Sequence, residues 1–367
     1  MTFREWVGLD KPFKYENAKW LGPICAVVVG IALIASIGTL SIRAFELAFE
    51  AEAEMRAVVY LLVAIIGFPL LIWRSVVAQK SANIAEQGNI TTQFTKAVEQ
   101  LGAEKTVKRR VWEPEYVSDT AEGNRTVRVD EHGREIGLWV FKEETVPNLE
   151  VRLGAIYLLE KIARDHLEMH ISVMELLCAY VRENAALNSQ YAEDFKERSP
   201  RVDIQSVLTV IGRRNATQLA HENSLRLIGK EIYFDFSMSH LVKLKMSKGN
   251  FNFSNFEGAR LNNSMIMGAK IENCWFFQSD LQNSFLEDAY CKQSLFSLAN
   301  LENCYLGGAE MLTYPCLDKQ QLSDAIGSDD TLLPEASERP PKWPTHKEQA
   351  REVWMKRTAA TGLPTSK

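Results

Sequence analysis

From Phe236 to Met311 an apolar residue recurs at every fifth position. Neither a helix nor a plain strand has that period, so the chain must fold here into something that repeats on its own terms. The centres run Phe236, Leu241, Met246, Phe251, Phe256, Leu261, Ile266, Ile271, Phe276, Leu281, Leu286, Cys291, Phe296, Leu301, Leu306 and Met311. From Gly249 onward the residue two places before each centre is Gly, Ser, Ala or Cys, so that side chain sits where nothing larger fits. A longer period lies within the first. Centres twenty apart match, giving a series Phe236, Phe256, Phe276, Phe296 and a series Leu241, Leu261, Leu281, Leu301. Four segments of five then close one turn of a four-sided coil. Residues twenty apart stack at the strand spacing of ~4.8 Å, with these Phe and Leu ladders inside. The other positions, such as Glu257, Lys270, Glu272, Gln282, Lys292 and Glu302, are mostly polar and point outward.

Segments such as Ala259-Arg260-Leu261 and Ala299-Asn300-Leu301 resemble the pentapeptide-repeat family, whose unit is a small residue, a polar residue, an apolar centre and two variable positions. The resemblance implies a right-handed quadrilateral β-helix, placed here at 231–314. It implies no reaction, since that fold is a scaffold with many uses.

The N-terminal region carries a different pattern. Trp20–Ile42 holds no charged residue and is long enough to cross a ~30 Å hydrocarbon core as a helix. Ala57–Trp73 is a second apolar run, extended to Val77 by Val76 and Val77. These spans, 20–42 and 57–77, predict an integral transmembrane hairpin over 20–78, preceded by a segment 1–19. The first run exceeds the core of a secretion signal, and a second follows at once. Arg4, Lys11, Lys14 and Lys19 precede the spans and Arg74 and Lys80 follow them, while the connector has only its flanking Arg43 and Arg56 beside Glu46, Glu50, Glu52 and Glu54. That bias places both termini and the main domains in the cytoplasm. Gly22, Ala26 and Gly30 form a ridge of small residues on the first span, suited to packing on the second span or to homo-oligomerisation. A net charge of -5 spread along the chain gives no argument for nucleic acid.

Between anchor and coil lie a juxtamembrane segment, 79–148, and a helical domain, 149–230. Ile84–Leu101 reads as an amphipathic helix. The basic cluster Lys105–Arg110 reads as a solvated loop or a contact to lipid headgroups. Thr126–Val129 and Ile136–Phe141 around Gly133 read as a β-hairpin. Apolar positions at helical spacing from Leu149 to Asn184 and from Ile204 to Arg213 predict helices. Glu99-Gln100-Leu101-Gly102, Glu150–Tyr157, Val181-Arg182-Glu183 and Asp203-Ile204-Gln205 resemble the helical region of bacterial membrane-anchored pentapeptide-repeat proteins, as does the exit segment from Leu317 to Trp343. That resemblance implies a bacterial inner membrane. It leaves the insert 112–141 without a counterpart. The helices are expected to cap one end of the coil and Leu317–Ile326 the other, within a C-terminal cap and tail at 315–367 whose His346–Ala360 forms an exposed helix.

The chain offers little chemistry. His166 and His170 stand four apart, but the acids beside them fit neither zinc-hydrolase order, and a polar turn is the expected reading. No phosphate-binding loop or nucleophile elbow occurs. Arg152, Glu160, Arg164, Glu175, Arg182 and Glu183 read as solvated charges on helices. Cys274, Cys291 and Cys304 read as interior filler. No catalytic residue, metal or cofactor is therefore expected. What remains is surface: Trp275, Phe277, Tyr290 and Tyr305 lie outside the centres and are candidate contacts for a cytoplasmic protein partner. The expectation is a non-enzymatic membrane-anchored scaffold. Its alternatives are an oligomerising membrane effector of a defence or stress module and, less favoured, a DNA mimic that binds topoisomerase.

Overall fold

The computed structural model describes residues 31–32, 35–36, 38–39, 43, 52–118, 125–187, 200–312, 317–334 and 337–359. The chain divides into two compact units, 1–89 and 90–367. Helix α1, Glu52–Leu101, begins in the first. Its 50 residues run without interruption through the second expected span and past Ile84, so the amphipathic helix is not a separate element. Among the described residues, no helix is long and apolar enough to cross a membrane. Most of the first expected span lies outside those residues, and Gly22, Ala26 and Gly30 with it.

In the second unit, Ala97 and Leu101 at the end of α1 are buried in the core, with Ile90 and Phe94 packed against it. The chain then turns at Gly102 into strand β1, Glu104–Pro114, which pairs antiparallel along its whole length with β4, Gly137–Pro147. A smaller pair, β2 (Tyr116–Ser118) and β3 (Arg125–Val127), lies between them. The tip turn is held by the Asp130 carboxylate, which accepts from the backbone N–H of His132 at 2.8 Å and of Arg134 at 2.9 Å. The ribbon is thus longer than the expected hairpin, and Lys105–Arg110 is strand rather than loop. Cross-strand carboxylates explain the difference: Lys108 meets Glu143 at 2.9 Å and Arg109 meets Glu144 at 3.5 Å.

Four helices follow: α2 (Leu149–Asp165), α3 (Leu167–Asn184), α4 (Val202–Gly212) and α5 (Ala216–Leu227). Ile156, Leu159, Val173, Leu177, Val207 and Ile211 meet at helical spacing in their common core. Arg152, expected in solvent, is buried. Its Nε donates to the Ala103 carbonyl at 2.9 Å and its Nη1 to Asn184 at 2.8 Å, so the charge is well hydrogen-bonded where α1 gives way to the ribbon. Helix α5 has a reciprocal cap in which Asn215 and Gln218 exchange hydrogen bonds at 2.9 Å.

The coil begins at β5 (Phe234–Asp235), which pairs in parallel with β6 (Ser254–Asn255), and the rungs that follow pair with the residue twenty further on up to Glu310. Asn255, Trp275 and Leu295 form one such column and Lys270, Tyr290 and Glu310 another. Inside, Phe236, Phe256, Phe276 and Phe296 are fully buried and stack at centroid distances of 5.2, 5.1 and 4.8 Å. Leu241, Leu261, Leu281 and Leu301 fill a second interior column. The small residues do more than leave room. Ser264 and Ser284 donate inward to the carbonyls of Leu241 (3.1 Å) and Leu261 (2.7 Å), tying each turn to the one before it. Each corner takes a residue with positive φ, twelve of them not glycine, from Met238 at 53° to Asn303 at 53°.

Both ends are covered. At the first, the Gln205 side chain exchanges hydrogen bonds with the backbone of Lys245 (2.8 and 3.0 Å), and the Asn250 N–H donates to Gly212 at 2.7 Å. A side chain on Gly212 or Gly249 would collide with the Phe251 ring lodged between them. At the other end, α6 (Lys319–Asp324) places Gln321 so that its amide donates to the carbonyls of Phe296 and Ala299, both at 2.8 Å. The coil also runs past 314, because Ile326 pairs with Tyr305 and Leu332 with Glu310. A last helix, α7 (Lys347–Thr358), is not the exposed tail that was expected: Ala350 and Trp354 are buried.

Phe276 has a stacked ring above and below. Phe276→Ala should lower stability by about 3–5 kcal/mol, read as a shifted urea midpoint, since a rigid column cannot close over the cavity.

Candidate interaction surface

Two of the four aromatic candidates share a face. Trp275 and Phe277 flank the interior Phe276 and project outward, 38% and 37% exposed. Trp275 stacks on Tyr233 at 4.9 Å, Tyr233 meets Phe253 edge-on at 6.5 Å, and the Arg226 guanidinium lies 3.9 Å over Phe253. An aromatic row therefore crosses the lower coil from the end of α5. Leu298 adds an exposed apolar group at a corner with φ 58°, where left-handed backbone costs a non-glycine residue roughly 1–2 kcal/mol. Tyr290 is exposed on the adjacent face, in the column between Lys270 and Glu310.

Tyr305 is elsewhere, and it is not available to a partner. It points out of the coil as its position requires, but α7 lies over it. Its ring stacks on Phe285 at 4.9 Å, Trp354 packs on Phe285 at 4.8 Å, and its hydroxyl donates to the Lys347 carbonyl at 2.9 Å. Gly307 leaves the space its ring needs. Lys347 reaches back to Asp288 at 2.6 Å and Glu287 at 3.4 Å, fixing the start of α7. The spacing of the centres gives the outward direction of Tyr305 and carries no sign of the helix that covers it.

Where the helices meet the coil, charges are buried. Arg214 stacks 4.1 Å over Phe234, donates to the Asn250 carbonyl at 3.1 Å, and sits 3.2 Å from Glu222. Glu222 also takes His170 at 2.8 Å, whose other ring nitrogen faces Gln218 at 3.2 Å. His170 is thus a fully buried member of α3 and His166 the residue between two helices, so the pair does not form the single polar turn expected. Burial pulls Arg214 below the ordinary arginine range, against the opposing effect of Glu222. The adjoining cleft, about 410 Å³, is walled by Glu160, Arg164, Arg213 and Gln218. Arg213 is gripped by Glu160 and Arg164 by Asp165 at 3.3 Å, leaving no nucleophile beside an acid or base. Among the described residues no group of three or more His, Cys, Asp or Glu could hold a metal ion. Burial pushes the thiols of Cys178 and Cys274 up to about 12, so they stay protonated fillers.

Comparison with known proteins agrees with the geometry of the coil. Residues 246–283 match the family model for pentapeptide repeats in eight copies, so the chain carries a pentapeptide-repeat coil. Among solved structures, the pentapeptide-repeat protein Rfr23 of the cyanobacterium Cyanothece 51142 is 23% identical, with 29% of this chain and 68% of that one covered and a TM-score of 0.16. The pentapeptide-repeat protein alr5209 of Nostoc Pcc 7120 is 16% identical, over 33% of this chain and 88% of that one, with a TM-score of 0.18. QnrB1, a plasmid-mediated fluoroquinolone resistance protein, is 16% identical, over 34% of this chain and 83% of that one, with a TM-score of 0.15. No curated protein matches.

Glu222 answers Arg214 in a dry junction. Glu222→Gln should cost about 3–5 kcal/mol in a denaturation experiment, because it strands a buried cation.

Proposed function

We propose that this chain is a non-enzymatic scaffold, held at a bacterial inner membrane by a two-helix anchor, whose coil docks a cytoplasmic protein. The observation that carries the docking is the exposed Trp275 and Phe277 pair, set on a rigid rod and continued by Tyr233 and Leu298. Aromatic groups fixed in place on a solvent face lose little freedom on binding, and such residues dominate interface energies. About four turns give a rod of roughly 20 Å, enough for one modest interface.

Two observations support the anchor. Ala57–Trp73 holds no charged residue. In α1, Phe68, Leu70, Leu71, Ile72 and Trp73 are all strongly exposed, and at 100° per residue they ring the helix with apolar side chains. Water does not favour such a surface and lipid does. The charge of the coil speaks against a DNA mimic: 231–311 holds nine acidic and six basic residues, far from the strongly acidic rod that mimicry needs. An oligomerising membrane effector shares the anchor and differs in what the soluble part binds.

Photo-crosslinking in native membranes should trap a second protein with the wild-type chain and lose it with Trp275→Ser and Phe277→Ser combined. Unchanged crosslinks, or crosslinks between copies alone, would sink the docking reading. For the anchor, the wild-type chain should stay in the pellet after alkaline extraction, while Leu71→Arg with Ile72→Arg should move to the supernatant. A wild-type chain that washes off would end the membrane reading.

A further inference from the structure

We propose that the β1–β4 ribbon is a self-association element, in which the β1 edge of one copy pairs with the β4 edge of a second. The inference does not depend on the docking role of the coil. Among the described residues, β1 and β4 pair only with each other, so each leaves an outer row of N–H and C=O groups unpaired by any strand. Neither makes extensive contact with another element. A two-stranded ribbon of this kind is marginal by itself in water.

Its middle is apolar on both faces. Trp112 opposes Trp139 on one face and Val111 opposes Val140 on the other. Leu138, Trp139 and Phe141 are 74%, 54% and 71% exposed. The two indoles meet edge-on at 5.4 Å and Arg110 lies 5.1 Å over Trp139, which pre-orders the band without covering it. A second ribbon laid beside the first would extend the band and give its rings cross-strand neighbours.

Charge selects which edges meet. Strand β1 carries Lys105, Lys108, Arg109 and Arg110 against Glu104 and Glu113, whereas β4 carries Glu143 and Glu144 against Lys142. A β1-to-β1 contact would set the Lys108-Arg109-Arg110 run against itself. A β1-to-β4 contact offers Lys108 and Arg109 the same glutamates they already meet within the ribbon, now from the next copy. Because β1 and β4 run in opposite directions, hairpins that point the same way continue one antiparallel sheet. Such a contact is head-to-tail and closes into a ring or propagates. The alternation of sign around the band also separates a protein partner from a bilayer, whose anionic surface would repel Glu113, Glu143 and Glu144.

The test uses the full-length chain in detergent, with mass read by sedimentation. One variant carries Lys108→Glu and Arg109→Glu, the other Glu143→Lys and Glu144→Lys. Each alone should associate about tenfold or more weakly than wild type. Their equimolar mixture should regain the wild-type mass, because β1 of each then faces an oppositely charged β4 of the other. Mixing cannot repair pairs inside one ribbon, so recovery reads the contact between chains. The quadruple variant, which restores opposite charge in both places, should assemble by itself with an unchanged circular dichroism spectrum. A monomeric wild type, single variants that keep the wild-type mass, or a mixture and quadruple variant that both stay dissociated would overturn the proposal.

Discussion

The stacking of like side chains at the strand spacing is what the larger of the two units depends on. Phe236, Phe256, Phe276 and Phe296 sit one above another at about the repeat of a parallel ladder, so the interior is a column rather than a jigsaw of unlike shapes. A slip by one five-residue side would set Phe against Leu and put every turn out of step with its neighbour. Register is thereby fixed by size as well as by hydrogen bonding. The small position does the complementary work, since Ser264 and Ser284 turn a need for space into a hydrogen bond to the turn below.

A column of this kind has two open ends, and the rest of the unit is organised around closing them. At the first, the helices lend side chains of Gln205 and Arg214 and the carbonyl of Gly212 to the first turn. At the last, Gln321 takes over two carbonyls. The buried Arg214 and Glu222 pair is expensive to desolvate and contributes little net stability. Its effect is on placement, because a helical cap that shifted would leave a cation without its partner.

The coil was legible because its interior repeats: sixteen apolar centres and their small neighbours can be read off the residues. Other features left weaker traces. Helix α5 shows only its cap, Asn215 with Gln218 three residues on, since charged residues dilute its apolar face. The corners carry a signal that the periodicity of the centres obscures: Gly258, Asn263, Gly268, Asn273, Asn283 and Asp288 lie two after each centre, residue types that tolerate positive φ. Tyr305 was misplaced for a different reason. Outward position is local and readable, but exposure is a tertiary property, decided here by a helix more than forty residues away in sequence. The ribbon was underestimated because its basic run and its acidic answer lie on separate strands.

The corner geometry has one more consequence. At each corner the backbone, not the side chain, makes the bend, and three of the five residues of a side, the two that flank the centre and the one at the corner, lie outside the column. Composition can therefore drift on the outer faces while the interior stays constant. The coil behaves as a printed grid, with writable cells at fixed pitch, and two such proteins could differ entirely in what they address while remaining superimposable in their cores.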